Sequence, residues 1–156
     1  MVRYHNFDVV FAEIPDETTL AINITGCPNR CPGCHSPHLQ RDEGRPLDDA
    51  ELRALLGRYG ESVTCVCFMG GDASPHEIAR LARLVRQEQS ALRTAWYSGR
   101  ADLPEGFDVA AFDYVKLGPW VERLGPLTAP TTNQRLYRLS DDGTLHDITE
   151  RFRRRT

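Results

Sequence analysis

Long apolar runs are missing from this chain of 156 residues. No stretch approaches the ~20 consecutive apolar residues that cross a bilayer. The opening Met1-Val2-Arg3-Tyr4-His5 is too polar for a secretory signal, so the sequence predicts a cytoplasmic protein with no membrane partner. A strong excess of charge is missing too. The formal net charge of −3 gives no reason to expect a nucleic-acid partner. The basic end, Arg151, Arg153, Arg154 and Arg155, reads as a solvated terminus. Internal repeats, low-complexity segments and Gly/Ser linkers are all lacking, and the length suits one domain, 1–156, with one core. What remains is ordinary globular material, 40% hydrophobic and 26% charged.

Five cysteines in a reducing compartment do not read as disulfides. Cys27, Cys31 and Cys34 crowd into one loop, whereas Cys65 and Cys67 alternate on one face of an apolar strand. The strand pair is expected to pack in the core as small hydrophobes.

Two apolar runs, 7–14 and 20–24, read as strands separated by the turn residues Pro15, Asp16 and Glu17. From Thr25 to about Pro46, Gly26, Pro28, Pro32, Gly33, Pro37 and Gly44 exclude a continuous helix or strand. Leu52, Leu55, Leu56 and Tyr59 then recur at helical spacing behind the capping pair Asp48 and Glu51. Val63–Met69 predicts a buried strand that ends in Gly70-Gly71-Asp72. Ser74 as N-cap, Pro75 and Glu77 open a second helix with Ile78, Leu81, Leu84 and Val85 inward. Further strands are predicted at 92–97, 114–117 and 135–139. Strands alternating with helices predict an α/β fold with βαβ units and a mainly parallel sheet. The chain is too short for a closed eight-stranded barrel, typically ~250 residues, so a partial, open (β/α) barrel is expected. In such folds ligands sit at the C-terminal ends of the strands. The cysteine loop, the Gly-Gly-Asp turn and Ser98-Gly99-Arg100 should therefore meet in space.

The loop reads Thr25-Gly26-Cys27-Pro28-Asn29-Arg30-Cys31-Pro32-Gly33-Cys34-His35. Its irregular backbone can wrap three corners of a cubic cluster and leave N–H groups for the sulfurs. Electron-carrying [4Fe–4S] clusters commonly use four cysteines; three leave one iron open to a non-protein ligand. The competing reading is a zinc-stabilised interaction module with His35, His38 or a strand cysteine as fourth ligand. Its weakness is that no second short-spaced motif is present.

The CxxxCxxC spacing after an early strand resembles that of radical S-adenosylmethionine enzymes. The resemblance implies a [4Fe–4S] cluster on Cys27, Cys31 and Cys34 with S-adenosylmethionine on the open iron, in a partial barrel of the radical SAM type. A reduced cluster would then release a 5′-deoxyadenosyl radical that abstracts hydrogen. Gly26–Ser36, Tyr114-Val115-Lys116-Leu117-Gly118-Pro119-Trp120 and Thr131-Thr132-Asn133-Gln134-Arg135-Leu136 extend the match. They are similar to the activating proteins of anaerobic ribonucleoside-triphosphate reductases. This closer resemblance implies an oxidoreductase that makes a glycyl radical on a large anaerobic ribonucleotide reductase subunit, with a flavodoxin or ferredoxin as electron donor. Other short radical SAM enzymes, pyruvate formate-lyase-type activases or deazaguanine synthases, are the alternatives.

Gly70, Gly71 and Asp72 match the family turn that binds the cosubstrate's amino group. Asp72 stands where relatives often carry Glu, and Pro75 lies later than the family's proline. Glycines let backbone approach a ligand, and a carboxylate suits an ammonium. Ser98 and Arg100 are candidates for the ribose or carboxylate, and Lys116 for a carboxylate. Asn133, Gln134 and Arg135 follow the family pattern without a role that the residues themselves declare.

Overall fold

A computed structural model describes residues 2–25 and 44–153. The cysteine loop with Cys27, Cys31 and Cys34 lies outside the described residues. Eight strands form one sheet in the order β3-β1-β2-β4-β5-β6-β7-β8. They are β1 (Arg3–Val10), β2 (Thr19–Ile24), β3 (Arg45–Pro46), β4 (Cys65–Met69), β5 (Arg93–Tyr97), β6 (Tyr114–Leu117), β7 (Arg135–Leu139) and β8 (Leu145–Asp147). The α-helices among the described residues are α1 (Asp49–Tyr59) and α2 (Pro75–Glu88). Neither is long and apolar enough to cross a membrane.

This architecture corrects the expected mainly parallel, partial (β/α) barrel. Three pairings, β2/β4, β4/β5 and β5/β6, are parallel. The other four, β1/β2, β1/β3, β6/β7 and β7/β8, are antiparallel. The reasons are local. A parallel crossover needs a dozen or more residues, and only residues 11–18 separate β1 from β2. The β5–β6 link carries Pro104 and Gly106 and forms just the 3₁₀ turn Val109–Ala111. Between β6 and β7, Gly118, Pro119, Gly125, Pro126 and Pro130 block a helix, and β7 returns antiparallel. Helices therefore cover only part of the sheet, and antiparallel strands extend both edges.

Other expectations meet the structure more closely. Asp48 caps α1, its Oδ1 accepting from Glu51 N–H at 2.8 Å. Ser74 precedes α2 as expected, but its side chain makes no capping hydrogen bond, and the Glu77 carboxylate binds Arg80 instead. The first strand lies at Arg3–Val10, with 11–14 forming a bend rather than its end.

Alternation sends Leu20, Ile22, Val66, Phe68, Trp96 and Val115 to the face beneath α1 and α2. Cys65, Cys67, Ala95 and Tyr114 go to the other face, packed with Ile14, Leu136 and Phe152. Both cysteines are fully buried and unbridged, as core residues. Burial and the nearby Cys67 sulfur push the Cys65 thiol well above its ordinary value.

Candidate functional site

The C-terminal ends of β4, β5 and β6 are held by a knot of short polar bonds. Gly70 and Gly71 both have positive φ, +105° and +91°, which L side chains rarely adopt. A Cβ on Gly71 would also lie 2.6 Å from Ile78 Cδ1 of α2. Gly70 N–H donates to Tyr97 O at 2.9 Å, and Gly70 O accepts from Trp96 Nε1 at 2.7 Å. Asp72, buried at 5% exposure, accepts from Ser98 Oγ at 2.6 Å and from Gly99 N–H at 2.8 Å. Ser98 Oγ accepts in turn from Arg100 N–H at 3.0 Å. Gly118 N–H donates to Arg100 O at 2.6 Å.

Five predicted residues, Gly70, Gly71, Asp72, Ser98 and Arg100, thus form one knot at the strand ends. The Arg100 side chain is exposed and contributes backbone alone to these bonds. Lys116 stands apart from them, on the face away from the helices. Pairing register sets Asn23, Met69, Tyr97 and Lys116 side by side across β2, β4, β5 and β6.

That row floors a cavity of about 540 Å³, a size suited to a small ligand or a peptide segment. Lys116 is buried and donates to Gln134 Oε1 at 2.9 Å and Gly118 O at 3.1 Å. Its ammonium also lies 5.5 Å from the Tyr97 ring centroid. The Tyr97 hydroxyl donates to the backbone carbonyl of Glu13. Burial, then the nearby Cys67, pushes that phenol well above its ordinary value, so it stays a neutral donor. The Glu13 side chain, Trp120, Leu127 and Phe152 complete the wall.

A family model described as 4Fe-4S single cluster domain matches residues 18–101. The chain belongs to that family. No curated protein and no solved structure matches it. Membership in the single-cluster family gives the chain a [4Fe–4S] cluster. The matched span contains the loop from Cys27 to Cys34, the Gly70–Asp72 turn and Ser98–Arg100. The loop leaves from Thr25, at the end of β2, where Thr25 N–H donates to Arg3 O at 2.9 Å. Beyond the single-cluster match lie Lys116, Gln134 and Glu13.

Sequence reasoning named Gln134 without a role; the structure makes it the acceptor for Lys116. Asn133 donates to Pro119 O at 3.1 Å, and Arg135 lies 3.8 Å from Asp147. Glu13 and Asn23 were not foreseen as site residues. Glu13 sits inside an expected strand, and Asn23 is the one polar residue in the Leu20–Ile24 run. That polar interruption was the available signal for Asn23. Among the described residues, no group of three or more His, Cys, Asp or Glu could hold a metal ion.

Proposed function

We propose that this chain is a radical S-adenosylmethionine enzyme that activates a large anaerobic ribonucleotide reductase subunit by removing hydrogen from one of its glycines. The observation that carries the reading is the spacing of Cys27, Cys31 and Cys34 inside a span matched to a single-cluster family. Three soft thiolates are a fitting donor set for a [4Fe–4S] cluster and leave one iron for a non-protein ligand.

Cys27, Cys31 and Cys34 would hold the cluster, which would supply the one electron for cleaving the sulfonium to methionine and a 5′-deoxyadenosyl radical, the species that would take the glycine hydrogen. A flavodoxin- or ferredoxin-like protein supplies that electron. The chain's own part is to hold and shield the cosubstrate. Gly70 and Gly71 keep side chains away from the strand end. Asp72 would meet an ammonium, a partner that suits a carboxylate. Ser98 and Arg100 would face the ribose, and Lys116 a carboxylate.

The test is anaerobic. Protein reconstituted with iron and sulfide, reduced and given S-adenosylmethionine should release 5′-deoxyadenosine, and Cys27→Ala should abolish it. Cys31→Ala should lose the iron that Cys65→Ala retains. A reconstituted cluster that yields no 5′-deoxyadenosine, even with the reductase present, would sink the enzyme reading and leave an electron-carrying or structural role.

A further inference from the structure

Glu13 is half-buried, and one of its carboxylate oxygens is left uncompensated by its neighbours. Its Oε2 is shut off from solvent and has no hydrogen-bond partner among the described residues. The Glu13 carbonyl accepts from Tyr97 OH, and the next residue, Ile14, is fully buried. The bend between β1 and β2 is thereby pinned to the end of β5, with the carboxylate on the cavity wall. A carboxylate oxygen closed off from water without a donor is costly to keep.

Lys116 lines the same cavity with the opposite charge, anchored by Gln134 and Gly118 O. Both charges act on the Cys67 thiol beneath the floor. Burial raises it most; Glu13 raises it further and Lys116 lowers it. Cys67 Sγ lies 3.4 Å from Met69 Sδ, and Met69 belongs to the floor row. A carboxylate oxygen lacking a donor and an ammonium on one open cavity match a molecule that has an N–H donor and an oxygen acceptor.

We propose that Glu13 is a ligand-binding residue whose carboxylate accepts an N–H donor, ammonium or amide, of a molecule in the cavity, while Lys116 meets that molecule's carbonyl or carboxylate oxygen. An amino-acid end and a stretch of polypeptide backbone both carry this chemistry. The inference goes beyond radical chemistry and does not rest on it.

Two probes separate the sources, S-adenosylmethionine for the amino-acid end and acetyl-glycyl-glycinamide for the backbone. Each is titrated calorimetrically into anaerobically reconstituted wild type, Glu13→Gln and Lys116→Met. Losing a charged hydrogen bond should weaken the matching probe about tenfold or more in Glu13→Gln, and Lys116→Met should weaken the same probe. Without a probe, Glu13→Gln should unfold at or above the wild-type temperature, because an amide is easier to bury than an unpaired carboxylate. A wild type that binds neither probe, or a Glu13→Gln variant with wild-type affinity for both, overturns the proposal. So does a variant that unfolds below the wild type, since Glu13 would then be a structural prop. Release of 5′-deoxyadenosine by the wild type, alongside wild-type probe affinity or lowered stability in Glu13→Gln, would leave the radical reading standing and remove this inference alone; a wild type that binds neither probe and releases none would count against both.

Discussion

Beneath α1 and α2, β4 and β5 present Val66, Phe68 and Trp96, all fully buried. From the opposite face, the same strands present Cys65, Cys67, Met69, Ala95 and Tyr97. The helix side is closed by large apolar side chains, and Trp96 stacks on Phe107 at 4.8 Å between ring centroids. The other side is closed by a bend, a long loop and the 3₁₀ turn Thr149–Arg153, with a charged cavity left among them. Composition alone makes these strands look alike on both faces. The difference arises from what packs above each face: helices bring regular apolar stripes, whereas irregular segments bring scattered polar groups and gaps. Stability should accordingly reside on the helix side and recognition on the cavity side.

The largest expected effect tests that division directly. Trp96→Ala should cost about 3–5 kcal/mol in denaturant unfolding, because it empties the stacked layer and removes the donor to Gly70 O at 2.7 Å. A loss as small as that of a surface change would mean that the helix face is not the main store of stability.

Gly71→Ala comes next, at about 1–3 kcal/mol, from a φ of +91° and a Cβ 2.6 Å from Ile78 Cδ1. Its unfolding midpoint should fall while the secondary-structure signal of the folded state persists.

Lys116→Met should cost about 1–2 kcal/mol, because it leaves Gln134 Oε1 and Gly118 O without their buried donor. A stability loss comparable to that of Trp96→Ala would break the comparison.

The smallest effect lies at the sheet edge, in the turn between β7 and β8. Asp142 is held at about 2, below its ordinary 3.8, by hydrogen bonds from Ser140 and the Thr144 backbone. A depressed carboxyl stabilises the fold above its unfolded value and loses that contribution as pH falls from 3.8 through about 2. A carboxyl NMR titration should show the low midpoint, and Ser140→Ala should move it upward.

Much of the secondary structure was legible in the sequence because it follows from short-range patterns. The runs at 114–117 and 135–139 became β6 and β7 unchanged, and Asp48 caps α1 as its spacing to Glu51 implied. The edge strands β3 and β8 carry two and three residues, too few for a periodic signal. The Gly70–Asp72 turn and Ser98–Arg100 were predicted to converge with the cysteine loop; the first two meet, and the loop lies outside the described residues.

By itself, then, the sequence determined the local elements, the apolar stripes of α1 and α2, and the cysteine spacing that marks the [4Fe–4S] family. Those properties depend on residues a few positions apart. Only the tertiary structure decided strand direction, because the antiparallel edges follow from how connections return to the sheet. It alone also set Glu13 and Lys116 on one cavity, 103 positions apart in the chain. Their shared surroundings arise from strand order and register, which local chemistry does not encode.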